Sequence, residues 1–234
     1  DLDLEPLIEA TFAQIDAIYN NWNPESEISQ LNRLPAHTPV AISAELFTFL
    51  ERLDTLVELT EGRFDPTVGA LKRLWKESLE RGELPTLQEQ RCLQKAVGWE
   101  KVHFENALFS KDDVLTELDF GAVAKGFAVD LLHEKLCLLG IENFYVEWGG
   151  EIRVRGKNPS GRPWRVAIVG ARPICLREQA LATSGSYLQF WWVGSKRYTH
   201  VIDPIDKMPL IEAPIQSASV IASSCMEADA IATA

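Results

Sequence analysis

The spacing of apolar side chains changes near residue 100, and that change constrains the fold more than any other feature of the chain. From Leu4 to Trp22 apolar residues stand at positions 4, 7, 8, 12, 15, 18, 19 and 22, the stripe of an amphipathic helix that Asn23-Pro24 stops. Ser43 reads as the N-cap of a second helix carrying Leu46, Phe49, Leu50, Leu53, Leu56 and Leu59, with Gly62 just past its end. A third is expected over Val68–Arg81. Thr86 and Glu89 form a capping-box pattern that opens a fourth over Leu87–Val97.

Beyond residue 100 the runs are short and rich in β-formers: Val102–Phe104, Val114–Phe120, Asn143–Trp148, Ile152–Arg155 and Trp164–Val169. A helix over Ala124–Leu139 interrupts them. Gly194-Ser195 is a two-residue hairpin signal between Tyr187–Val193 and Lys196–Ile202, and Ser217–Ala222 precedes a last helix starting near Ser224. The fold class is therefore α+β, with a helical first third and a largely antiparallel sheet flanked by helices. No linker rich in Pro, Gly or Ser divides the 234 residues, so one domain over 1–234 is expected.

With 34 Asp and Glu against 23 Lys and Arg, the net charge of −11 disfavours a nucleic-acid partner. No apolar stretch reaches membrane-span length; the longest candidate, Ala213–Met226, is short and polar. The four cysteines form no CxxC pair, and Cys92 and Cys137 fall in helical apolar patterns as small buried hydrophobes.

Several segments have the residue types that chemistry needs. Leu118-Asp-Phe-Gly-Ala-Val-Ala-Lys-Gly126 runs from a strand through a small-residue turn into a helix. Exposed amides at a helix start plus the Lys125 charge suit a phosphate, and an ordinary tight turn with a surface lysine explains the segment as well. Asp229 and Thr233, four residues apart on a helix, offer the hard oxygens that Mg²⁺ prefers, or are a solvated carboxylate and a back-bonded hydroxyl. Of the four histidines, His200 stands apart by leading into Val-Ile-Asp203-Pro204, where an imidazole can take a proton from an incoming hydroxyl.

Read together, seven blocks resemble the ApbE family of FAD:protein FMN transferases, in family order. They are Trp22–Asn32, Gly62-Arg-Phe-Asp-Pro-Thr-Val-Gly69, Asp119–Asp130, Val146-Glu-Trp-Gly-Gly-Glu-Ile152, Ala182-Thr-Ser-Gly-Ser-Tyr187, His200-Val-Ile-Asp-Pro204 and Cys225–Thr233. The resemblance implies a Mg²⁺-dependent transferase. It would cleave FAD, join FMN by a phosphoester to a Thr or Ser of a target flavoprotein, and release AMP. It implies metal ligands from the Ala122 carbonyl and the Asp229 and Thr233 side chains. It also implies FAD contacts from Trp22, Arg63, Phe64, Asp65, Asp119, Lys125 and the main chain of Ile202, with His200 as the catalytic base.

By the same resemblance the acceptors are flavoprotein subunits of membrane redox complexes. The expected location is the periplasmic side of a bacterial inner membrane, on a lipid anchor outside this chain. Rival readings of the same site are an FAD pyrophosphatase giving FMN and AMP, and a flavin-binding protein without turnover. Three departures from the family pattern stand out. Asp206-Lys207 replaces a usual Thr-Gly pair. An amino-terminal strand with a Met-Gly-Thr motif is absent ahead of Asp1, and a strand expected after Thr233 is absent too. We therefore expect a chain trimmed at both ends, with an open sheet edge.

Overall fold

The computed structural model describes residues 2–234. Its order is α1 (Glu5–Tyr19), α2 (Glu27–Asn32), β1 (Val40–Ala41), α3 (Ala44–Leu59), α4 (Gly69–Glu80), α5 (Leu87–Gln94), a 3₁₀ turn (Trp99–Lys101), β2 (Val102–Glu105), β3 (Leu108–Lys111) and α6 (Ala124–Leu138). There follow β4 (Phe144–Trp148), β5 (Glu151–Arg155), β6 (Trp164–Val166), β7 (Ile174–Leu176), β8 (Ala180–Gly185), β9 (Phe190–Val193), β10 (Lys196–Asp203), β11 (Met208–Ile211), β12 (Ser217–Ala222) and α7 (Cys225–Thr233). Strand pairs such as β4/β5, β5/β8 and β9/β10 are antiparallel. Among the described residues no helix is long and apolar enough to cross a membrane.

The chain divides into two compact units. One holds the residues up to Asp16 with Gly121–Ser184 and Ser217–Thr233; the other holds Ala17–Phe120 and Gly185–Gln216. In the first, the sheet order is β12-β8-β5-β4, with β6 and β7 as a separate hairpin. Ile152, Val154, Val166, Leu176 and Leu181 form a core there, and Val129 and Cys225 pack with Ala180 in another. In the second unit two three-stranded sheets, β1-β3-β2 and β11-β10-β9, accompany α2 to α5. Its core joins Leu71, Trp75 and Leu79 of α4 to Tyr198 and Ile202 of β10, with Trp75 stacked on Tyr198 at 6.0 Å.

Local rules explain most boundaries. Ser43 caps α3 through its hydroxyl on the Leu46 amide, and α3 buries Leu46, Phe49, Leu50, Leu53 and Leu56 but leaves Leu59 exposed. Thr86 and Glu89 make both halves of the capping box. Gly194, at φ 61°, turns β9 into β10 with Val193 opposite Lys196.

Other expectations fail for identifiable reasons. The first helix ends at Tyr19, because the Asn20 carboxamide accepts from the Trp22 amide and pulls the chain into a turn. Helix α5 ends at Gln94, three residues early, and buries none of its side chains, so Cys92 is exposed rather than buried, while Cys137 is half-buried. Of the Ala182–Tyr187 block, residues 182–185 belong to strand β8.

Val114–Phe120 is not a ladder strand. Asn106 and Ala107 both take positive φ, 52° and 57°, and turn β2 straight into β3. The later segment is held by side chains instead. The carboxamides of Asn21 and Asn32 donate to the Leu118 carbonyl, and their oxygens accept from the Phe120 and Leu118 amides. The buried Lys111 ammonium donates to the carbonyls of Asn32, Val114 and Thr116. Side chains, with a single bridge between Val68 and Glu117, do here the work that a neighbouring strand would do.

Candidate active site

In the first unit the polar centre is Lys125, in the first turn of α6. Its ammonium pairs with Glu151 at the start of β5 and lies 3.7 Å from Asp229 Oδ2 on α7. The carboxylates are buried, at 2% and 5% side-chain exposure, whereas Lys125 is 39% exposed. The Gly126 amide donates to Asp229 Oδ2 at 3.2 Å. Gly126 is the third residue of α6, so its amide is one of the first-turn groups without an intrahelical partner, and the Asp229 carboxylate satisfies it.

The electrostatics follow from burial. It pushes the Asp229 carboxyl up to about 7, with Glu151 adding to the rise and Lys125 and the Gly126 amide opposing it. Glu151 is raised for the same first reason, against the pull of Lys125. Two desolvated carboxylates beside one ammonium are short of positive charge.

Asp130 sets the geometry. One carboxylate oxygen takes Arg153 Nη1 and the Cys225 amide, at 2.5 and 2.8 Å, and the other takes the Met226 amide at 2.9 Å. Burial raises the Asp130 carboxyl, and Arg153 with the two amides pulls it back. A residue of α6 thereby caps the first turn of α7, which fixes where Asp229 and Thr233 point from that helix.

In the second unit the centre is α4. Lys72 pairs with Asp119 at 2.8 Å, Arg73 pairs with Glu117, and Lys76 stands 5.0 Å over the ring of Trp22, itself 82% exposed. The Asp119 amide donates to the Pro66 carbonyl at 2.7 Å, and the Gly69 amide to the Glu117 carbonyl at 3.0 Å. These tie the Gly62–Gly69 run to the Glu117–Asp119 segment. Within the run Arg63 is exposed and Phe64 buried. Asp65 Oδ1 accepts from the Thr67 amide and hydroxyl and Oδ2 from the Trp99 amide, while burial raises its carboxyl.

His200 is half-buried on β10, its Nδ1 3.1 Å from the Gln189 carbonyl. A carbonyl can only accept, so Nδ1 carries the proton and Nε2 keeps its lone pair. Burial lowers the imidazole pKa and Lys72 lowers it further, against the Gln189 carbonyl. Ile202, two residues on, is buried against α4, with its main chain opposite Pro209.

The structure thus brings Lys125 and Asp229 together, with Thr233 one turn further along α7. In the other unit it groups Trp22, Asp119 and His200 with the lysines of α4. Three residues at these centres escaped the sequence reading: Glu151, Asp130 and Lys72. Glu151 lay in a block already singled out, after Gly149-Gly150. Asp130 closes the Asp119–Asp130 block, also singled out, and nothing in the local sequence marks Lys72.

Among the described residues no three His, Cys, Asp or Glu side chains cluster as a metal site. Glu151 Oε2, however, is a buried oxygen without a hydrogen-bond partner. Mg²⁺ commonly takes one or two carboxylates and fills its shell with waters and substrate phosphates, so oxygens from Asp229, Thr233 and Ala122 fit it.

A lysine at the start of a helix thus stands against two buried carboxylates, in an α+β fold with antiparallel sheets. The chain belongs to the ApbE family, whose model matches residues 3–234. It is 46% identical to the FAD:protein FMN transferase of Chlamydia pneumoniae over 98% of this chain and 74% of that protein. Identity is 35% with the Vibrio cholerae protein of the same name, over 98% and 72%. The solved apo flavinyl transferase ApbE of Pseudomonas stutzeri superposes with TM-score 0.89 at 28% identity, covering 98% and 74% of the two chains. Flavin transferase ApbE from Vibrio cholerae gives 0.85 at 34%, covering 98% and 76%.

Proposed function

We propose that this chain takes FMN from FAD and attaches it to a target protein. The observation that carries this reading is similarity along 98% of the chain to a relative named FAD:protein FMN transferase. The Lys125, Asp229 and Glu151 cluster supports a finer version, in which FAD is cleaved at its pyrophosphate, AMP leaves, and FMN is joined by a phosphoester to a Thr or Ser.

Breaking a pyrophosphate develops negative charge that must be neutralised, and the attacking oxygen must be aligned and deprotonated. Lys125 supplies a positive charge at the start of α6. Asp229, Thr233 and the Ala122 carbonyl would hold Mg²⁺. That ion, when bound, supplies Lewis-acid neutralisation of phosphate oxygens. Burial and Lys72 disfavour the charged form of His200, which favours a free Nε2 lone pair to accept the hydroxyl proton of the acceptor. Asp119 holds Lys72, and Trp22 offers an open aromatic face to a flat ring.

The acceptors we infer are flavoprotein subunits of membrane redox complexes, modified at the outer face of a bacterial inner membrane where a lipid anchor would keep the enzyme. The test is intact-mass spectrometry after incubation with FAD, Mg²⁺ and such a subunit. An FMN-sized adduct on the subunit is the expected result. Free FMN and AMP without an adduct would overturn transfer in favour of hydrolysis.

A further inference from the structure

Glu151 was not among the ligands implied by resemblance, yet its carboxylate is buried at the Lys125 centre. One of its oxygens, Oε1, faces the Lys125 ammonium. The other, Oε2, is buried and has no hydrogen-bond partner. A buried carboxylate oxygen left unpaired is costly, and proteins rarely keep one without a use for it.

The orphan oxygen faces this centre. A Cβ placed on Gly149 would stand 3.2 Å from Glu151 Oε2 and 3.3 Å from Lys125 Cδ, so both groups border one small space beside the glycine. Gly149 and Gly150 both hold positive φ, 66° and 102°, and deliver Glu151 to the first position of β5. Asp229 meets the same ammonium from α7.

We propose that Glu151 is a further cation-binding carboxylate of this site, and that the Lys125 ammonium occupies the place between Glu151 and Asp229 until a divalent cation displaces it. The inference rests on the reading that Asp229 holds a metal ion. One ammonium brings a single positive charge to two buried carboxylates, and a divalent ion brings two with a geometry that oxygen ligands can complete. Lys125 is partly exposed on a flexible stem, so it can leave the carboxylates and turn to an incoming phosphate. Metal binding would then free the lysine for the anionic substrate, and cation and substrate would help each other bind.

The experiment is titration of the purified protein with Mn²⁺ alone, reading free Mn²⁺ by electron paramagnetic resonance, with circular dichroism to confirm folding. Glu151→Gln keeps shape and removes charge; it should weaken Mn²⁺ binding by about ten- to a hundredfold. Lys125→Met should tighten it by up to about fivefold, since a half-exposed ion pair no longer has to be broken first. Asp229→Asn should abolish it. If Asp229→Asn abolishes binding while Glu151→Gln binds as the unaltered protein does, the role of Glu151 is overturned and the Asp229 reading stands. If Lys125→Met weakens binding, displacement is overturned. If the unaltered protein binds no Mn²⁺, the underlying metal reading falls as well. Should Lys125→Met fail to fold, Glu151→Gln decides alone.

Discussion

Gly126 on α6 and Cys225 on α7 approach so closely that a Cβ on the glycine would stand 2.5 Å from the Cys225 carbonyl oxygen. The two helix starts meet there, and the Gly126 amide reaches Asp229 Oδ2 from the same place. A glycine in the first turn of α6 is thus a condition for the carboxylate to sit where it does.

Gly126→Ala is accordingly expected to destabilise the protein by about 2 kcal/mol or more, because backbone rather than a movable side chain blocks the methyl. Urea unfolding measures this. The variant should also lose Mn²⁺ affinity, since Asp229 shifts with α7; unchanged stability and affinity would show that the helices part at little cost.

His200 should give the rate its pH dependence. Burial and Lys72 hold the folded imidazole below the ordinary value near 6.5, so the basic form is present over more of the neutral range than in a free histidine. Transfer measured as kcat/KM should rise with pH through a midpoint below 6.5, and His200→Ala should remove that limb and lower the plateau by about 10²- to 10⁴-fold. An unaltered profile in His200→Ala would place the base elsewhere.

His133, outside the site, predicts a stability effect. Its ring packs edge-on to Phe144 at 5.1 Å, and burial, with Arg153 and Arg155, lowers its pKa to about 4. Between about 6.5 and 4 the unfolded chain binds a proton that the folded chain refuses. The stability from a neutral His133 is complete above about 6.5 and is lost as pH falls toward 4. His133→Gln should show a smaller drop in melting temperature between neutral and mildly acidic pH than the unaltered protein.

Lys207 takes the left-handed backbone conformation that glycine adopts most readily, with φ 54°. Its ammonium donates to the Gln94 and Val97 carbonyls at 2.8 and 3.0 Å, closing the end of α5. Lys207→Met keeps the left-handed backbone and loses both bonds, so it should cost about 1.5 kcal/mol or more. Lys207→Gly relieves the backbone and should cost less. Chemical denaturation of both variants checks the order.

What could be read from the sequence was local. The Thr86–Glu89 box, the Ser43 cap and the Gly194-Ser195 hairpin each state their geometry within a few residues, and the structure has all three. Val114–Phe120 looked like a strand because strand composition says nothing of what satisfies its amides. Here the partners are Asn21 and Asn32, 86 to 99 residues away in sequence from those they bind. The capping of α7 by Asp130 spans 95 residues to Cys225, and no pattern in α6 announces it. Asp229 and Thr233 were visible as a helical pair. The burial that makes Asp229 short of positive charge, and the orphaned Glu151 oxygen beside it, arise only when β5, α6 and α7 pack.

On the proposed function, FAD is split and its FMN half transferred at a site that depends on Asp229. Covalent flavin fluorescence of the acceptor subunit on a denaturing gel tests this directly, after incubation with FAD and Mg²⁺ and either the unaltered protein or Asp229→Ala. A fluorescent acceptor band is expected with the unaltered protein and none with Asp229→Ala. A band of equal intensity with both, or none with either, would contradict it.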